Sequence, residues 1–245
     1  MKNAASATRG QDLQSYNYPH FHVHPEQLEA LGGVEVGDPA PDFAARRLDG
    51  TEVRLSDFRG RPVVLETGSV SCPQYVSRVT QMNALAYRFP DVVFLVLYVR
   101  EAHPGGHISA HRTADDKNAA ARIAVSEERE GRVILVDDVE GSAHHDYGCM
   151  PNTVHVIDAK GTVVFRALWN DPAGVEAALR SLSSGGDPAA VRTAFSPAPP
   201  TTLLRVLRRA GWRAVWDFAL AFPQLAVGHL RESLPGRTRL TRLDR

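Results

Sequence analysis

Hydrophobic positions along the chain fall into short unbroken runs separated by stretches of helical period. Residues 62–67 and 92–99 have the length and near-continuous apolar character of strands covered on both faces. Between them Val76, Val79, Met82, Ala86 and Phe89 recur at steps close to one helix face, and Pro90-Asp91 ends that helix. The result is a strand, helix, strand crossover. Further along, the pattern predicts a helix over 115–126, a strand over 133–136, an antiparallel hairpin of 153–157 and 162–167, and a closing helix over 172–183. Upstream, Asp49-Gly50 turns a hairpin between two short strands. This order predicts an α/β fold with a mixed central sheet flanked by helices.

Turn-rich stretches divide the chain. Residues 1–35 are polar and rich in His and Tyr, with a short helix expected over 26–31, and read as an N-terminal extension to a domain spanning 36–184. Ser184-Gly-Gly-Asp-Pro188 and Ser196-Pro-Ala-Pro-Pro200 mark 185–200 as a linker, and 201–245 follows as a basic helical extension. In it Arg205, Arg208, Arg209 and Arg213 fall on one side of a helix and Leu203, Leu207, Ala210 and Ala214 on another; Pro223 is expected to kink or end it. No internal repeat is present.

With 245 residues, 43% hydrophobic and 23% charged, the chain has ordinary globular composition and enough length for one substantial core. The net charge of zero conceals nine arginines against three acidic residues in 201–245, a surplus of six that the rest of the chain offsets. That basic segment is expected to pack on its own domain or across a homodimer; contact of 201–230 with an anionic membrane surface is the less favoured alternative. There is no apolar leader and no run of about 20 apolar residues, so a cytoplasmic location is expected. No basic pattern points to nucleic acid, and neither a P-loop nor a dinucleotide fingerprint is present.

Of the two cysteines, Cys72 carries the chemistry. It stands where the strand over 62–67 passes through Gly68-Ser-Val-Ser into a helix whose first residue is Pro73. Unpaired N–H groups at a helix start favour a thiolate, so a reactive sulfur is expected. Ser69 and Ser71 are placed to hydrogen-bond it. Tyr75 occupies the position of the second cysteine of a C-x-x-C motif, which excludes dithiol exchange within that motif.

His20, His22 and His24 would share one face of a strand, but without a fourth ligand they make no closed zinc site, and no metal is expected. His144-His145-Asp146 reads as a solvated turn.

The domain over 36–184 resembles the thioredoxin fold and, within it, the iodothyronine deiodinase family. The resemblance is carried by Gly68-Ser-Val-Ser-Cys-Pro73, by the run from Phe94 to Pro104 ending in Glu-Ala-His-Pro, by His111-Arg112 and by Tyr147-Gly148. It implies that Cys72 replaces the family's selenocysteine, which attacks iodine on an iodinated phenol, and that Glu101, His103 and His111 position substrate and relay protons. Val70 stands where the family often has a cysteine. Small-molecule halogenated phenols are the implied substrates, with an external thiol or a thioredoxin as electron donor and no bound cofactor.

Met150-Pro151 resembles the cis-proline turn of thioredoxin-like folds, which would bring Cys149 near Cys72 as a resolving thiol; a small residue filling a turn is the alternative. Two other functions stay open. Ser69-x-x-Cys72 matches the end of a peroxiredoxin signature, although Leu65 replaces its usual proline, and a non-catalytic thioredoxin-fold binding module uses the same scaffold.

Overall fold

The computed structural model describes residues 16–21 and 32–232, with side chains to residue 224. Strands β1 (Ala44–Arg47) and β2 (Glu52–Arg54) form the predicted hairpin, in which Gly50 takes the φ of +89° that its turn requires. A 3-10 turn, Leu55–Phe58, leads into β3 (Val63–Gly68), α1 (Pro73–Arg88) and β4 (Val93–Tyr98). Then come α2 (Ala114–Ser126), β5 (Val133–Val136), the short α3 (Ser142–Asp146), and the hairpin of β6 (Val154–Ile157) and β7 (Val163–Ala167). Helices α4 (Pro172–Ser183), α5 (Pro200–Ala210) and α6 (Trp212–Glu232) complete the chain.

The strands form one mixed sheet in the order β2-β1-β5-β4-β3-β6-β7, parallel across β5, β4 and β3 and antiparallel elsewhere. This is the thioredoxin-like architecture expected from the pattern of runs. The register of β3 against β4 pairs Gly68 with Tyr98. Both strands therefore end together, and the loops carrying Cys72 and Glu101 leave the sheet side by side at its carboxyl edge.

Side-chain alternation divides the core between the two faces of the sheet. Val96, Tyr98, Ile134 and Val136 pack with α1 and α2, whereas Leu95, Leu97 and Leu135 pack with Phe43, Ala143 and Tyr147. Thr113 starts α2 with a reciprocal capping box to Asp116.

The C-terminal region differs from a single basic extension. Gly211 (φ +125°) separates α5 from α6, and α6 runs on through Pro223 instead of ending there. A proline removes one N–H donor, a loss that a helix of 21 residues survives. Val206, Leu207, Ala210 and Ala214 lie in the same hydrophobic cluster as Cys72. The basic side is not simply solvated: Arg205 and Arg209 pair with Glu128 at the end of α2, and Arg209 also meets Glu127 at 3.1 Å. Trp212, Trp216 and Leu220 face outward at four-residue intervals.

Tyr16 and Tyr18 of the N-terminal segment are buried, and His20 Nδ1 lies 3.6 Å from Asp217 of α6. His22, His24 and the helix expected over 26–31 lie outside the described residues. His144 corrects the solvated-turn expectation. It is fully buried in α3, between the Tyr16 hydroxyl (2.9 Å) and the Met150 carbonyl (3.0 Å), because both imidazole nitrogens find partners inside the fold.

Candidate active site

Cys72 is the N-cap of α1, with Pro73 at the first helical position and its own N–H donating to Ser69 O at 3.0 Å. The strand-to-helix turn before it is tightly fitted: a Cβ on Gly68 would collide with the Tyr75 ring. Tyr75 is itself anchored, its hydroxyl donating to Glu130 Oε2 at 2.8 Å. Glu130 and Glu66 flank Arg132 in a fully buried ion cluster, and Asn152 donates to Glu66 Oε1 at 2.8 Å. Tyr75 thus pins the start of α1 to the sheet.

Glu101 is the hub of the site. Its Oε2 accepts from the Ser71 backbone N–H at 3.0 Å, and its Oε1 accepts from the Tyr98 hydroxyl at 2.6 Å and lies 3.0 Å from His111 Nε2. Burial alone would raise this carboxyl, but the bonds from His111, Ser71 and Tyr98 outweigh it and hold the pKa below the ordinary value. A charged carboxylate is therefore kept inside the protein by three donors. The Tyr98 hydroxyl also accepts from Val70 N–H at 3.0 Å, tying Glu101 to the cysteine loop twice over.

Ser69 and Ser71 have different partners from those expected. Their Oγ atoms accept from the backbone N–H groups of Ala102 and His103, each at 3.1 Å, and no hydrogen bond from either hydroxyl to the Cys72 sulfur is present among the described residues. The two serines clamp the Glu101–His103 loop to the cysteine loop. His103 is enclosed by the rings of Phe21 (4.1 Å) and Phe218 (5.5 Å), and its Nδ1 has no hydrogen-bond partner among the described residues. Burial drives its pKa down to about 3, so the imidazole is neutral.

The thiolate expectation for Cys72 is corrected by burial. With 3% of its surface exposed, the thiol is pushed up to about 12 by burial; the N–H groups of Tyr75 and Gln74 pull it down and the charges of Glu66 and Glu101 push it further up. The helix start acts in the expected direction but loses to desolvation. Cys72, Glu101, His103 and His111 are all brought together at the carboxyl edge of β3 and β4.

Cys149 follows α3 in the turn before β6. Its Sγ is 2.9 Å from His145 Nδ1, its carbonyl accepts from Arg100 at 3.1 Å, and it is a free thiol, as is Cys72. Pro151 follows it in a turn with no cis peptide bond, since none occurs among the described residues, which corrects the cis-proline expectation. That turn is held instead by Thr67, whose Oγ1 donates to Met150 O at 2.8 Å. No cluster of metal-ligating side chains occurs among the described residues.

The sequence profile of the iodothyronine deiodinases matches residues 2–172, a span that includes Cys72, Glu101, His103 and His111. The chain belongs to the iodothyronine deiodinase family. Curated relatives include thyroxine 5-deiodinase of Rattus norvegicus, 29% identical over 156 residues covering 58% of this chain and 51% of that protein. The corresponding Gallus gallus enzyme is 32% identical over 150 residues, covering 55% and 57%. This family member thus spans about half the length of the relatives it matches. Among solved structures, a hypothetical protein from Sinorhizobium meliloti 1021 shares the fold, with 18% identity and a TM-score of 0.53 over 68% of this chain and 92% of that one. An uncharacterized conserved protein from Geobacillus kaustophilus has 20% identity and a TM-score of 0.50 over 62% and 84%. Among the described residues, no helix of this deiodinase-family chain is long and apolar enough to cross a membrane.

Three contributors escaped the sequence reading. Tyr98 looks like the last apolar residue of a strand, although its place three residues before Glu101 puts a phenol at the strand end. Arg209 looks like one of several helix-face arginines, yet its Nη2 donates to Val70 O at 2.7 Å, next to the cysteine loop. Lys117 looks like a surface residue of α2 but is buried, with Nζ donating to Asp138 O at 2.6 Å. For the last two no local signal exists.

Proposed function

We propose that this protein is a Cys72-dependent thiol oxidoreductase that removes halogen reductively from an aromatic ring. The observation that carries this reading is the convergence of Cys72, at a helix start, with the buried Glu101–His111 pair and His103 on two adjoining loops. Family membership supports the same assignment.

In the proposed cycle the ionised sulfur attacks the halogen, the carbon–halogen bond breaks, and its electron pair stays on the ring carbon. His103, neutral at rest, takes the Cys72 thiol proton as the sulfur ionises and gives it to that carbon, while Glu101 and His111 hold the loop. Cys72 is left as a sulfenyl halide. An external thiolate then attacks the Cys72 sulfur, expels halide and forms a mixed disulfide, which a second external thiol cleaves to regenerate Cys72. One aryl halide and two thiols give the dehalogenated ring, a disulfide, halide and a proton.

The test is halide release from an iodinated phenol with dithiothreitol as donor, comparing the wild type with Cys72→Ser. The variant should lose thiol-dependent turnover by at least about three orders of magnitude, as expected when a nucleophile is removed. Turnover that survives the substitution unchanged rules the assignment out.

A further inference from the structure

The arrangement around Cys72 and His103 is closed, and the cover over the thiol is one identifiable element. Leu207, Ala210 and Ala214 pack in the cluster that contains the thiol, and Phe218 of α6 sets its ring edge against the imidazole of His103. The remaining walls are β3, β4 and α1, locked by strand pairing and by the Tyr75 and Glu101 bonds, and the N-terminal segment, whose Phe21 ring lies 4.1 Å from that of His103 and whose Tyr18 hydroxyl donates to Ala102 O at 3.0 Å. An aromatic substrate therefore reaches the sulfur only if the cover moves.

The hairpin of α5 and α6 is held by few polar anchors. It joins the domain through residues 191–199, which contain no helix or strand. Its ion pairs through the exposed Arg205 and Glu127 lie at the rim, where such pairs contribute little, and its main polar anchor is Arg209, which meets the partly buried Glu128 and the Val70 carbonyl. At its turn the Ala210 carbonyl accepts from the N–H groups of His107 (2.9 Å) and Ile108 (3.2 Å), in the loop that continues from His103. The approach is so close that a Cβ on Gly105 would overlap the Ala210 carbonyl oxygen, and one on Gly211 would lie 2.7 Å from Gly106 N.

We propose that the α5–α6 hairpin is an autoinhibitory lid whose displacement from the 103–108 loop admits substrate to Cys72 and His103. This rests on the reading of Cys72 as the reacting thiol. Opening returns water to the sulfur, so that the helix start, no longer overruled by burial, favours the thiolate. Closure keeps that thiol from oxidants when no substrate is present.

The test reads accessibility, not turnover. Alkylation of Cys72 by iodoacetamide is followed by peptide mass spectrometry in the full chain, together with amide hydrogen exchange. Gly105→Ala wedges the loop off Ala210 without touching a site side chain, and Arg205→Ala with Arg209→Ala removes the arginine anchors. Each variant should label Cys72 roughly ten-fold faster or more, with faster exchange in α5 and α6 but not in β3 and β4, as expected of local opening. In the wild type, labelling should be almost independent of urea below the unfolding transition.

Unchanged Cys72 labelling in a variant whose α5 and α6 exchange has accelerated overturns the lid. So does wild-type labelling that rises with urea in step with global unfolding, a result that needs no variant to fold. Failure of the dehalogenation reading looks different: Cys72 becomes accessible in the variants, yet no halide is released.

Discussion

The two cysteines show how differently one fold can treat the same side chain. Cys72 has the better electrostatic address, at the N-terminus of a 16-residue helix, yet it is buried and its thiol is pushed up to about 12. Cys149 has no helix start, sits at a left-handed φ of +57°, and is only partly buried, with an imidazole nitrogen 2.9 Å from its sulfur. Burial raises its pKa too, though Arg100 pulls the other way. The flanking side chains also separate them: Cys72 belongs to the cluster of α1, α5 and α6, whereas Ala143 and Tyr147 near Cys149 belong to the opposite face. What decides thiol reactivity here is access to water before it is local charge.

Acid should strain both surroundings and gives the largest expected effect. Burial depresses the pKa of His103 to about 3 and of His155 to about 3, and that of His144 well below its usual value. The unfolded chain binds protons on these groups near pH 6.5 while the folded chain does not, so stability rises with pH and is lost as pH falls below about 6.5. Each histidine contributes roughly 1.4 kcal/mol per pH unit in that window. Urea unfolding at pH 7 and pH 5.5 should show a loss of several kcal/mol in total. His144→Gln should remove one histidine's share on the Cys149 side, and a slope that does not change would place His144 in a protonatable setting.

The second way to break the comparison is direct. In native protein at pH 8, iodoacetamide should modify Cys149 about a hundred-fold faster than Cys72, reflecting both exposure and ionisation. Equal rates would show that the cover over Cys72 is open most of the time.

The smallest effect sharpens the Cys72 side alone. Glu101→Gln removes the charge that His111 Nε2, Ser71 N–H and Tyr98 O–H converge on. It should cost about 2 kcal/mol of stability, the scale of a lost charge-assisted bond in the interior. The loss should be largest at neutral pH and shrink as pH falls through the folded pKa of Glu101, because the depressed carboxyl stabilises only while ionised. A loss independent of pH would mean that packing, not charge, is what the substitution removes.

Much of this was legible along the chain. The apolar runs and helical spacing account for the strand order of the crossover, for α1, α2 and α4, and for the β6–β7 hairpin, because burial of alternate or every-third residues is what builds those elements. Glu101, His103 and His111 were legible as chemistry through the family resemblance, carried by Glu-Ala-His-Pro after a buried strand and by His111-Arg112. Ser69 and Ser71 were legible as site residues but not in their role: whether a hydroxyl meets a sulfur or a backbone N–H depends on which loop passes beside it. Pro151 misled for a related reason, since Met150 is held by Thr67 from β3 and the turn needs no cis bond.

By itself, the sequence determined the sheet and the placement of Cys72 at a helix start, because these follow from local periodicity and from chain neighbours, and its family motifs supplied the short list of groups able to act with that thiol. Only the tertiary structure decided the state of those groups. Side chains distant in sequence, from Phe21 to Phe218, close over the site, and the desolvation they impose exceeds the pull of the helix start on the thiol. That balance depends on which surfaces meet, and no local pattern encodes it.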